Sequence, residues 1–173
     1  MSFGEAIKSV FSKYATFKGR ARRSEYWYFF LFQFLVSDLL FIFDKYLFEK
    51  DLFIPVTISG TTIAIGLQFL FYLAVLIPNL AVAVRRLHDT GTSGWLYMPL
   101  FIISLALNVY NVINDIVSLK TLDIESPLGI MVLVVALLFL AYSILILVWL
   151  FRDSDQDANR YGPNPKFPEP DYY

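Results

Sequence analysis

Asp38 is the one charged residue in the apolar block Tyr26–Phe43. Read as a helix, that block carries it about 18 Å from its start, past the middle of a bilayer. A carboxylate at that depth points to an ion or proton path. The plainer reading is a hydrogen bond between helices, through Gln33 and Ser37 nearby, Gln68 on the next block, or the stripe Ser104, Asn108, Asn111, Asp115. That stripe has 4, 3, 4 spacing and keeps to one helix face. The candidate intramembrane polar site is therefore Asp38, Gln68, Asn108 and Asn111. It lacks the second buried charge that a proton or cation path would want.

His88 is the only histidine, and it precedes Asp89. A His–Asp pair can act as a base and its orienter. Neither a nucleophile with oxyanion donors nor further zinc ligands accompany it, so the pair is expected to tie down a short turn before Gly91 and Gly94. Asp153, Asp155 and Asp157 open like a calcium loop. That loop needs Gly at its sixth position and Glu at its twelfth, and the chain has Ala158 and Asn164. The reading fails there. No cofactor or metal follows from these residues, and the absence of cysteine excludes disulfides, thiolate nucleophiles and thiolate metal sites.

The elements that must hold these residues are dictated by composition. Hydrophobic residues make up 57% of the 173 and charged residues 17%, against about 25% charge in soluble domains. One small core cannot hide that surplus. Disorder is excluded for the same reason, and a net charge of −1 offers no field for nucleic acid. The apolar residues fall into blocks at about 26–43, 63–84, 95–112 and 128–151, each near the length that a membrane helix needs. The expected fold is an all-α membrane protein. It is a four-transmembrane-helix bundle (26–151) with an N-terminal amphipathic segment (1–25) and a Pro-rich C-terminal tail (152–173).

Lysine and arginine set the orientation. The N-terminal segment holds Lys8, Lys13, Lys18, Arg20, Arg22 and Arg23; the second connection holds Arg85 and Arg86; the tail holds Arg152, Arg160 and Lys166. Four spans put these eleven on one side and leave Lys45, Lys50 and Lys120 on the other. Both termini are expected in the cytoplasm. Trp27, Trp95 and Trp149 lie at the same interface. Ser2 and Glu5 have capping-box spacing. Phe3, Ile7, Val10, Phe11, Tyr14 and Phe17 then recur as a helical stripe up to Gly19, predicting a helix lying in the headgroup layer. No cleavable leader is expected in the first 25 residues, which lack an apolar core and a small-residue cleavage site.

Three segments on that side stand out together. They are Phe17-Lys-Gly-Arg-Ala-Arg-Arg-Ser-Glu-Tyr-Trp27, Arg85-Arg-Leu-His-Asp89 with Ser93-Gly-Trp95, and Asn159-Arg-Tyr-Gly-Pro-Asn-Pro165. In this order they resemble the domain of unknown function 805, a family of small bacterial inner-membrane proteins. The resemblance spans nearly the whole chain. It implies a helical protein of the cytoplasmic membrane and no established activity. If the family shares a site, it is a cytoplasmic-face assembly of Arg20, Arg22, Arg23, Glu25, Arg85, Arg86, His88, Asp89, Asn159 and Tyr161.

The function expected from these readings is non-enzymatic: a cytoplasmic face that binds a protein partner or anionic lipid headgroups, with homo-oligomers possible and no nucleic acid. A small transporter or channel subunit built on Asp38 is the alternative. An enzyme acting on lipid headgroups ranks below both for want of a nucleophile. The turn formers of 159–165 predict a tail folded back over the Arg85–Asp89 segment through Asn159 or Tyr161, with Arg86 paired to Glu25 or Asp89.

Overall fold

A computed structural model describes residues 1–49, 54–58, 61–106 and 126–167. Helix α1 spans Phe3–Ser12. It starts on a reciprocal cap: the Ser2 hydroxyl accepts the Glu5 amide, and the Glu5 carboxylate accepts the Ser2 amide at 2.8 Å. Those bonds from Ser2 hold the Glu5 carboxyl below its ordinary range. The helix stops at Ser12 and does not run on towards Gly19 as the apolar stripe implied. Beyond Lys13 the chain turns, taking Tyr14 to the third helix, where its hydroxyl donates to the Ala74 carbonyl. Phe11 packs edge-on against Phe29, and Phe3 against Tyr28, so part of the stripe covers the next helix.

Helix α2 (Arg23–Glu49) is longer than the first apolar block at both ends. A short antiparallel hairpin follows, β1 (Ile54–Ile58) with β2 (Thr61–Ile65), in the register Ile54 opposite Ile65. Helix α3 runs Leu67–Asp89. It begins later than the apolar block at 63 because Thr61–Ile65 are in the strand. It also ends five residues after Val84, so Arg85–Asp89 are the last turn of a helix and not a loop. The physical reason is local: Arg86 and His88 sit favourably at a helix C-terminus. The turn is then closed by Thr90 and Thr92, whose hydroxyls both donate to the Leu87 carbonyl, at 3.0 and 2.8 Å.

Helix α4 (Gly94–Ala106) opens with a 3-10 turn over Gly94–Tyr97. The remainder of the third apolar block, with Asn108 and Asn111, lies outside the described residues, as does Asp115. Helix α5 (Pro127–Phe151) has proline in its first turn and Ser126 as its cap, accepting the Gly129 amide at 3.0 Å.

Among the described residues three helices, α2, α3 and α5, are long and apolar enough to cross a membrane, and α4 is a shorter apolar helix. The chain is an integral membrane protein of helical build. Helix α3 is the central one: 39% of its apolar window is buried inside the protein, against 11% for α2 and 6% for α5. Leucines and valines therefore cover the outside of α5, as a bilayer requires. The packed core lies at one end of the bundle, where Val10, Phe29, Val82, Leu87, Ile146 and Leu150 meet. That is the end to which the basic segments fold.

Candidate functional site

Asp89, the last residue of α3, is fully buried and is the hub of this end. Its Oδ1 accepts Arg20 Nε at 2.8 Å. Its Oδ2 accepts Arg86 Nη1 and the Ser154 hydroxyl. The short loop before α2 brings Arg20 here, its backbone anchored by the Ala21 amide donating to the Arg85 carbonyl.

Arg20 uses all five donors of a guanidinium. Besides Asp89 Oδ1 it reaches the Asp89 and Asp155 carbonyls through Nη2, and those of Asp157 and Gly162 through Nη1. One side chain thus joins the loop before α2, the end of α3 and the tail. Arg86 does the same for α5. Its Nε donates to the Leu150 carbonyl at 3.1 Å and its Nη2 to that of Arg152. These are carbonyls that a helix C-terminus leaves without partners, and the cation sits at the negative end of the helix dipole.

Arg85 is 1% exposed, and its Nη1 lies 3.3 Å from Glu25 Oε1, while the Ser9 hydroxyl donates to that same oxygen at 3.1 Å. This pair ties α1, α2 and α3. Among the described residues neither Nη atom of Arg85 has a hydrogen bond. Three buried guanidinium groups thus face two buried carboxylates, Glu25 and Asp89. Removing either carboxylate would strand charge, which costs about 3–5 kcal/mol for a buried pair.

The tail from Asp153 to Phe167 lies across this cluster. Asn159 Nδ2 donates to the His88 carbonyl at 3.0 Å, and Asn159 Oδ1 accepts the Tyr161 amide in a local turn. Gly162 closes the turn at φ +129°, a conformation that favours glycine. Tyr161 stacks on His88 with ring centres 3.8 Å apart and planes 6° from parallel. The His88 Nδ1 faces the Gly19 carbonyl at 3.3 Å; a carbonyl only accepts, so Nδ1 carries the proton. Arg22 donates to the Pro165 carbonyl, and Arg23 to that of Phe151 while pairing with Asp153 at 3.3 Å. Asp153 and Asp155 are engaged separately, Asp153 with Lys166 and Asp155 with Asn159.

All ten residues of the basic-end assembly thus sit at one end of the bundle, bound largely to one another and to backbone. Sequence reasoning missed Ser9, Ser154 and Asn164. Asn164 is buried and donates to the Asp155 and Gln156 carbonyls at 3.0 Å each. Ser9, within α1, and Ser154, in the tail, carry no signal that would have singled them out, whereas Asn164 stands in the Asn159–Pro165 segment without being picked from it.

The intramembrane candidates are not gathered in this way. Asp38 is on the exposed side of α2, and Asn108 and Asn111 lie outside the described residues. Gln68 is next to a different carboxylate: Asp44, two turns beyond Asp38, accepts the Leu67 and Gln68 amides at 2.8 Å each and caps α3 from across the hairpin. Polar residues that do converge between α2, α3 and α4 include Gln33, Ser37 and Ser104, expected as neighbours of Asp38, together with Tyr72 and Asn79; they help line a cavity of about 330 Å³. Tyr72 and Asn79 are two turns apart on one face of α3, a spacing visible in the sequence that the search for charges passed over.

The chain is 40% identical over 86 residues to the inner membrane protein YhaI of Escherichia coli, a stretch covering 50% of this chain and 62% of YhaI. It is 36% identical over 105 residues to the inner membrane protein YhaH of the same organism, covering 59% of this chain and 79% of YhaH. The match thus spans about three-fifths of the length of YhaI. No solved structure matches. The model of the family described as protein of unknown function (DUF805) matches residues 14–163, a stretch that contains all ten residues of the basic-end assembly, and the chain belongs to that family.

Proposed function

We propose that this protein is a non-enzymatic protein of the bacterial inner membrane. It crosses that membrane four times, with α4 as the start of the third span and both termini in the cytoplasm. Its cytoplasmic face docks anionic lipid or a protein partner. The observation that carries this reading is how the polar groups of that end are used: Arg20 commits every donor to the fold, and Asp89 accepts from Arg20, Arg86 and Ser154. The assembly is a latch that gives the face a set shape. The basic residues left at its surface, among them Lys8, Lys13, Lys18 and Arg160, are exposed and suit an anionic surface, each contributing about 1 kcal/mol near one. The names of YhaI and YhaH support the inner-membrane assignment.

Purification of the full chain in its native lipid, followed by mass spectrometry of what stays bound, tests the reading. Enrichment of acidic phospholipid or of one protein over the bulk membrane is the expected result. Bulk lipid composition with no co-purifying protein would sink it.

A second reading, a small transporter or channel subunit, rests on Asp38. This carboxylate is exposed well inside α2 and has no partner among the described residues, so a bilayer would require something to cover it. Loss of a proton or solute flux in Asp38→Asn, with the flux intact in Arg86→Ala, would favour that reading.

A further inference from the structure

A cavity of about 630 Å³ opens beside the latch, between the end of α3, the start of α4 and the tail. Its long wall is one face of α3: Leu80, Val84 and His88 are spaced one turn apart. That wall is about 12 Å long at 1.5 Å per residue. Trp95 and Met98 of α4 form the facing side. Gly94 lets the two helices close in, because a Cβ there would overlap Val84 and stand 3.1 Å from His88 Nε2.

The groove is graded from end to end. At its inner end Leu80 and Val84 are apolar and face towards the middle of the bundle's membrane-crossing helices. At its mouth are Lys18 and Arg160, both exposed, and among the described residues none that lines it is acidic. Lys18 has no ion pair among the described residues. Arg160 makes one long bond, to the Gly91 carbonyl at 3.4 Å, and lies 4.8 Å from the centre of the Tyr161 ring. Among the described residues neither cation is neutralised by a carboxylate, which leaves both charges available to an anion. Trp95 is 78% exposed beside them, the position that an indole takes at headgroup level.

We infer that this groove holds a phospholipid of net negative charge, whose headgroup carries one anionic phosphodiester and no ammonium. The phosphate lies between Lys18 and Arg160, and one acyl chain runs down the Leu80–Val84 face. The inference rests on the lipid arm of the proposed function and gives it a place. Charge complementarity decides the occupant: two cations without an ion pair among the described residues, over an apolar slot, match an amphiphile of net negative charge, whereas a zwitterionic lipid brings its own ammonium beside the phosphate and meets repulsion from both. The stacked His88 and Tyr161 rings are the rigid wall between headgroup and chain, and the docked tail is what brings Arg160 to the mouth.

Native mass spectrometry of the full chain in detergent, titrated with phosphatidylglycerol or with phosphatidylcholine of the same chains, tests this. The wild type is expected to bind phosphatidylglycerol more tightly. Lys18→Gln and Arg160→Gln should each weaken that binding about fivefold and weaken phosphatidylcholine less, so that the preference narrows. Leu80→Trp, which fills the slot, should weaken both lipids. The double variant Lys8→Gln/Lys13→Gln removes two charges, twice as many as either single variant, from residues that are not among those lining the groove, and should weaken binding of this one lipid much less. Equal losses in that double variant would overturn the groove while leaving the lipid reading standing. No preference in the wild type would overturn both. Glycerophosphoglycerol, the headgroup without chains, should not compete at matched concentration; effective competition would show a site for soluble anions and overturn the lipid assignment.

Discussion

The Tyr14 hydroxyl donates to the Ala74 carbonyl at 2.6 Å, and Ala74 stands four residues before Pro78, inside α3. A proline has no amide hydrogen, so Pro78 leaves the Ala74 carbonyl without its helical partner. The side chain of the turn after α1 takes the place of the missing donor. This relationship explains why α1 ends early and why a proline is tolerated in the central helix.

Tyr14→Phe is therefore expected to lower stability by about 0.5–1.5 kcal/mol, the net worth of one such bond. In a Pro78→Ala background, residue 78 supplies its own amide and the Tyr14→Phe cost should shrink towards zero. Thermal unfolding of the four proteins in detergent gives the coupling. A full Tyr14→Phe cost in the Pro78→Ala background would reject the explanation.

Arg20→Lys keeps the charge but offers three donors in place of five in a planar fork. The tail should loosen, because the Asp155, Asp157 and Gly162 carbonyls lose donors. Trypsin cleavage after Arg160 should then be much faster than in the wild type, approaching the rate after Lys166. Arg20→Ala leaves Asp89 beside Arg86 alone and should cost about 3–5 kcal/mol. An unchanged cleavage rate in Arg20→Lys would show that the tail is held by other contacts.

At the far end, a Cβ on Gly66 would overlap the Asp44 carboxylate that caps α3. Asp44→Ala should cost about 0.5–2 kcal/mol through loss of the cap. Gly66→Ala should be destabilising in the wild type and nearly neutral once Asp44 is alanine. Additive losses, read from the same unfolding measurement, would exclude this coupling.

Asp153 supplies a pH dependence. The hydrogen bond from Lys166, at 2.5 Å, leads the effects that hold its carboxyl below the ordinary value, followed by the Ser154 amide. A carboxyl whose folded pKa is lowered contributes above its unfolded value, near 3.8, and loses that contribution as pH falls through the lower folded value. The chain has no cysteine, so a spin label on Phe167→Cys reports the tail alone. Its mobility should stay constant from about pH 7 to pH 5 and rise below about pH 4. In Asp153→Asn it should be raised at every pH.

Topology is open to reporter fusions after Asp51, Asp89, Asp123 and Tyr173. The eleven-to-three bias of lysine and arginine predicts periplasmic signals from the first and third and cytoplasmic signals from the second and fourth. A periplasmic signal after Asp89 or at Tyr173 would overturn the four-span reading.

The amino-acid sequence alone determined the class of this protein. Long apolar blocks, few charges and the Ser2–Glu5 cap are properties of contiguous residues, and solvent transfer and local hydrogen bonding act on them directly. The segments of the basic end were legible for the same reason, as was the turn chemistry of Asn159–Gly162. Partners were another matter. That Asp44 and not Asp38 meets the next helix among the described residues, and that Tyr14 answers Pro78, depend on which segments pack side by side. Arg20 finds Asp89 and the Gly162 carbonyl across 69 and 142 residues of chain, and no local pattern encodes that meeting. A buried donor or acceptor must be satisfied by whatever the fold brings within about 3 Å, so only the tertiary structure decides which one that is.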